Sequence, residues 1–101
     1  MITKSKELIY KNKKGNKITR EQLEKLSTDI DYTRIGNTVL PNGVIVSTVW
    51  LTYYCEGLLF ETMIFRPQED GDECYCERYK TEAGAIAGHK RVVEMCKKAD
   101  Y

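Results

Sequence analysis

The stretch VSTVWLTYYCEGLLFETMIF, Val46–Phe65, constrains the fold more than any other part of the chain. Apolar residues occupy both alternating sets of positions, whereas a strand with one wet face would carry them on one set only. β-branched and aromatic residues dominate, which favours extended backbone, and Glu56-Gly57 divides the run into two strands joined by a tight turn. Asn42-Gly43 supplies a turn signal just upstream, so Arg34–Leu40 should pair antiparallel with Val44 onward. If Glu56-Gly57 is a two-residue loop, Cys55 sits opposite Leu58. That register places Tyr53 opposite Phe60, Leu51 opposite Thr62 and Val49 opposite Ile64 on the face that receives a helix. The other face then carries Trp50, Thr52 and Tyr54 on one strand and Leu59, Glu61, Met63 and Phe65 on its neighbour, with Thr52 opposite Glu61. A slip of one residue would exchange the faces.

The flanking segments complete the fold. ELIYKNKKGNKIT reads as a short hairpin, with Leu8, Ile9 and Tyr10 before a turn at Gly15 and Ile18 after it. Thr19 followed by Gln22 is a capping-box pattern ahead of REQLEKL, where Leu23 and Leu26 form one apolar stripe. The acidic connection RPQEDGDE is read as a solvated loop, and CYCERYK as a fourth strand. Thr81 should cap a last helix, about Glu82–Lys98, with Lys97 and Lys98 placed to favour its C-terminal dipole. At 100° per residue, Ala85, Ile86, His89, Val92, Val93 and Cys96 fall on one side. The expectation is a single α+β domain over 1–101: a four-stranded antiparallel meander packed on one C-terminal helix, with a short N-terminal hairpin and helix.

Composition sets limits on function. A net charge of +1 and an isoelectric point near 7.6 give no global basic field, so nucleic acid is not expected as a partner. No run reaches the roughly 18 apolar residues of a membrane span, and the Lys-rich start has no apolar segment behind it. A cytoplasmic chain with four free thiols, Cys55, Cys74, Cys76 and Cys96, is therefore expected.

The face carrying Trp50, Thr52, Tyr54, Glu61, Met63 and Phe65 is the candidate binding surface, with Arg78 beside it. Aromatics mixed with a few polar groups suit interfaces and ligand pockets. A homo-oligomer seam is the first expectation, a ligand or partner surface the second, and cover by the N-terminal segment the third. Glu61 needs a cation, Arg78 or Arg34, or a ligand donor, and a structural ion pair is the favoured reading. Cys74 and Cys76 with His89 or Cys96 contain enough donors for zinc, but paired C-x-x-C knuckles are missing and buried thiols are favoured. His89, on the apolar side of its helix, is favoured as a hydrogen-bonded core residue over a catalytic one. Gly84 and Gly88 suggest close approach of a strand or a second subunit to the helix backbone. No nucleophile, base and orienter assemble from these parts, and no cofactor is expected.

Three separated motifs, VSTVWL (Val46–Leu51), FETMIF (Phe60–Phe65) and ERYKTEAGAIAGH (Glu77–His89), resemble a group of small proteins encoded in bacteriophage and prophage genomes. Those proteins carry V-S-T-V-W-L, then F-E-T-M with a hydrophobic residue and Phe, then E-R-Y-x-T before an alanine-rich helix ending A-G-H. The segment TYYCEGL stands where the group has G-L-D-H and a glycine-rich loop, and Ala83 and Gly84 stand where acidic residues are usual. The resemblance implies a phage protein working in the host cell cytoplasm. One expectation is a non-enzymatic inhibitor of antiviral defence that binds a defence protein or holds its nucleotide messenger. The other is a structural or housekeeping protein whose apolar face is only a seam.

Overall fold

The computed structural model describes residues 9–55, 57–66 and 73–99, and within these not the side chains of 53–55, 73, 74 and 99. Leu8, the acidic connection at 67–72 and the side chains of Tyr54 and Cys74 therefore lie outside the described residues. In chain order the elements are β1 (Tyr10–Lys11), β2 (Lys17–Ile18), α1 (Arg20–Ser27), α2 (Ile30–Thr33), β3 (Arg34–Val39), β4 (Ile45–Cys55), β5 (Leu58–Phe65), β6 (Glu73–Tyr79) and α3 (Glu82–Ala99). Strands β3 to β6 form an antiparallel meander, β1 pairs with β2 separately, and α3 packs on one face of the meander. This is the expected α+β architecture.

Local chemistry fixes the element ends. Thr19 and Gln22 exchange both capping-box bonds at the start of α1, at 3.1 and 2.8 Å. Thr81 accepts from the Gly84 amide at 3.0 Å and starts α3. The β3–β4 turn runs Leu40-Pro41-Asn42-Gly43, with the Gly43 amide donating to the Leu40 carbonyl at 2.9 Å and Gly43 at φ +89°. Only glycine adopts that backbone angle without steric cost. The short helix α2 was not anticipated: Asp29 caps it, accepting from the Tyr32 amide at 3.3 Å, and it delivers Tyr32 to the core.

The β4–β5 register corrects the sequence reading. Cys55 does pair with Leu58, as expected, but further on Trp50 pairs with Phe60, Thr48 with Thr62 and Val46 with Ile64. Between these two anchors β4 spends four residues, 51–54, against the single Leu59 of β5. The excess of three is odd, and an odd shift moves the β4 side chains beyond it to the opposite face, while those of β5 keep theirs. Trp50 consequently lies under the helix side, 2% exposed, and does not share a face with Glu61. Val49, not Thr52, stands opposite Glu61.

Two apolar clusters fill the covered face. One joins Leu40, Val44, Val46 and Ile64 to Val92, Val93 and Cys96 of α3. Full burial of a side chain such as Ile64 or Val92 contributes about 1.5–3 kcal/mol. The other holds Trp50, Leu59, Phe60 and Ala85, closed by Ile18, Leu23, Leu26 and Tyr32 from the N-terminal hairpin and helices. Tyr32 meets Trp50 edge to face at 5.1 Å, and the indole N–H donates to the Lys11 carbonyl at 3.2 Å. The N-terminal segment is thus a cover, but for the end of the helix-side face. Ile86, expected on the buried side of α3, is instead 44% exposed.

Candidate functional site

Between the two apolar clusters runs a chain of polar side chains. Tyr79 Oη donates to Thr62 Oγ1 at 2.9 Å, and Thr62 bonds Thr48. Thr48 Oγ1 lies 2.8 Å from His89 Nδ1, and His89 Nε2 lies 2.8 Å from Thr38 Oγ1. One direction satisfies every group: Tyr79 to Thr62, Thr62 to Thr48, Thr48 to Nδ1, and the Nε2 proton of a neutral imidazole to Thr38. Burial favours that neutral form by lowering the His89 pKa, and burial likewise raises that of Tyr79, holding the phenol as a donor. Two glycines admit the rings. A Cβ at Gly36 would stand 2.9 Å from the His89 ring, and one at Gly88 would overlap the Tyr79 ring. The close approach foreseen for Gly88 is therefore that of a strand side chain.

A hydroxyl bonded to an imidazole is the elementary pair of nucleophilic catalysis. Here Thr48 and Thr62 are both fully buried, so no substrate carbon can reach the hydroxyl. The chain is interior structure, and His89 is a hydrogen-bonded core residue.

The opposite face of the sheet has a different character. Arg34, Val49, Glu61 and Arg78 are register partners across all four strands, and Ser47, Met63 and Cys76 form the next row. Ile45 pairs with both Val39 and Phe65 beyond them. Arg78 Nε donates to Glu61 Oε2 at 2.6 Å, and the Cys76 thiol donates to the same oxygen at 3.1 Å. These neighbours leave Glu61 6% exposed although its face is open. The favoured structural ion pair is present. Val39 is 62% exposed, and Ile45, Val49, Met63 and Phe65 are half-buried. None of the five belongs to either buried cluster.

Of the residues expected to form the binding surface, Glu61, Met63, Phe65 and Arg78 do share this face. Trp50 is across the sheet in the core, and Thr52 is exposed within the irregular part of β4. Val39, Ile45 and Val49 join the face without having been singled out. For Ile45 and Val49 the reason is that both parities of β4 are apolar, and only the cross-strand register separates them. The same geometry separates the described donors that were weighed for zinc. Cys76 is exposed on the open face, whereas His89 and Cys96 lie on the helix side, so the sheet stands between them. Among the described residues no group of three His, Cys, Asp or Glu side chains is placed to hold a metal. The expectation of a buried thiol holds for Cys96 and fails for Cys76.

Fold and site together define an α+β protein with one sheet face sealed by helices and the other bearing an apolar strip beside a clamped carboxylate. Compared with protein-family models, curated proteins and solved structures, the chain finds no match in any of the three. No helix among the described residues is long and apolar enough to cross a membrane.

Proposed function

We propose that the chain is a non-enzymatic phage accessory protein that acts in the host cytoplasm, inhibiting an antiviral defence by docking on one of its proteins through the open sheet face. The observation that carries this reading is the apolar strip of Val39, Ile45, Met63 and Phe65 outside both cores. Such strips on small chains serve as contact surfaces, and the ordered Glu61–Arg78 pair beside it gives a partner a fixed polar mark. The phage setting rests on the three-motif resemblance. Docking on a protein is favoured over holding a nucleotide messenger, because Trp50, the ring best suited to stack on a base, is sealed in the core.

Val39→Glu is the test, because a charge at a 62% exposed position leaves the fold intact while disrupting a desolvated contact. Phage plating is measured on hosts carrying single defence systems, with wild-type or variant protein supplied. The reading expects rescue by wild type and loss of rescue by a variant that melts at the same temperature. Undiminished rescue by the variant would refute the surface. The same face also suits a second copy of the chain. That seam reading requires a mass above 11.7 kDa in light scattering, falling to the monomer in Val39→Glu.

A further inference from the structure

Strand β3 is an edge of the meander, bonded to β4 on one side only. The Leu40 amide donates to the Val44 carbonyl at 2.8 Å, so Leu40 and Val44 are a hydrogen-bonded pair. In an antiparallel ladder such pairs alternate with pairs whose amides and carbonyls turn away from each other. Val39 opposite Ile45 and Asn37 opposite Ser47 are therefore of this second kind. Val39 and Asn37 each point an N–H and a C=O out of the sheet edge, and none of these groups has a partner among the described residues.

Edge strands are ordinarily blunted by lysine, proline or a bulge. The bulge of β3 lies at its start, between Arg34 and Gly36, and nothing of the kind protects Asn37 to Val39. Arg34, Asn37 and Val39 are all exposed, and their register places the three side chains on the open face. Val39 carries the apolar strip to the very edge. Arg34 sets a guanidinium beside it that pairs with no acid among the described residues.

From this arrangement we infer that an extended segment of the partner protein adds to the sheet along β3, with an apolar side chain beside Val39 and an acidic one beside Arg34. Such strand addition is the mode of the docking proposed above and rests on that reading. Main-chain bonds to Asn37 and Val39 supply the affinity, and the neighbouring side chains choose the segment. Charge favours a foreign segment over a second copy. Antiparallel pairing of two copies about Asn37 would set Arg34 against Leu40 and leave its charge unmet.

A displayed library of random linear peptides, sorted on the whole chain, is the probe. Sorting should enrich segments of alternating pattern that carry an acidic residue. Asn37→Pro deletes one outward N–H without touching a β4 bond, as edge positions tolerate, and should weaken the enriched peptides at least tenfold. Arg34→Glu, at an exposed position, should weaken them too and turn the selection toward basic segments. No enrichment overturns the inference, as do peptides that bind either variant like wild type. If Asn37→Pro lowers the melting temperature, Arg34→Glu alone decides. A wild-type mass above 11.7 kDa that falls to the monomer in Asn37→Pro assigns the edge to a second copy and overturns it. Loss of rescue in Val39→Glu without peptide capture keeps the docking face and removes the added strand. Peptide capture without rescue on any host keeps the strand and removes the defence role.

Discussion

Thr48→Val puts the interior polar chain to a test in which packing and hydrogen bonding give opposite answers. Valine matches threonine in shape, and Thr48 is fully buried, so an account based on packing alone expects no loss. The hydroxyl, however, links Thr62 to His89. Without it the Thr62 proton loses its acceptor and one nitrogen of the imidazole is left unpaired in either tautomer. Each buried unpaired polar group costs about 1–3 kcal/mol, so the change should destabilise by roughly 2–4 kcal/mol, allowing for some relaxation. In a domain of this size that lowers the melting temperature by roughly 8–30 °C, at about 4–8 °C per kcal/mol. Thr48→Ser keeps the hydroxyl and loses one methyl, for about 1 kcal/mol. Urea unfolding followed through Trp50 fluorescence should therefore rank wild type above serine, and serine above valine. A valine variant as stable as wild type would show that the chain contributes nothing and that shape alone governs the site.

Two further outcomes follow from the same geometry. His89 has a folded-state pKa lowered by burial, so its contribution to stability is complete above the unfolded value of about 6.5 and is lost as pH falls from there toward the folded value. The urea midpoint should decline from pH 7.5 to 5.5, and His89→Gln should flatten that interval; an equal decline in the variant would place its origin elsewhere. Glu61→Gln keeps shape but removes the charge facing Arg78, whose side chain is 33% exposed. The cost should lie between that of a surface pair and a buried one, about 1–2 kcal/mol. An unchanged melting temperature would contradict the structural role assigned to the pair.

Legibility in the sequence followed the range of the interactions concerned. The Thr19–Gln22 capping box, the turn at Asn42-Gly43 and the Thr81 cap are set by residues three or four apart, and each formed where the sequence placed it. The expected Cys55–Leu58 pair also formed, yet the register counted outward from it failed within a few residues. Apolar side chains at both parities of β4 allow either face to serve as core. Nothing local marks the three extra residues before Cys55. The partners of His89 lie 41 and 51 residues away, and Thr38, Thr48 and Thr62 look in isolation like ordinary strand formers. Helix α2, four residues long, is shorter than any periodic signal. The Glu61–Arg78 pair was legible because a carboxylate in an apolar strand needs a cation, and few cations stand in neighbouring strands.

The polar chain accounts for what the apolar pattern leaves undecided. In the register counted from the turn, Thr48 would stand opposite Phe65 and Thr62 opposite Leu51. Neither arrangement gives a hydroxyl its partner, and each buried hydroxyl so stranded would cost about 1–3 kcal/mol. In the observed register Thr48 meets Thr62 directly, and both come within reach of His89 and Tyr79. Apolar contacts are nearly indifferent to which valine or leucine meets which, so they supply compaction without choosing the face. Hydrogen bonds are directional and costly to leave unmade, so a few of them at the centre of the sheet select one pairing from several of similar hydrophobicity. That selection sends Trp50 inward to the N-terminal cover and turns Val39, Ile45, Met63 and Phe65 outward. The open face on which the proposed docking depends is thus fixed from the other side of the sheet, by threonines that no partner touches.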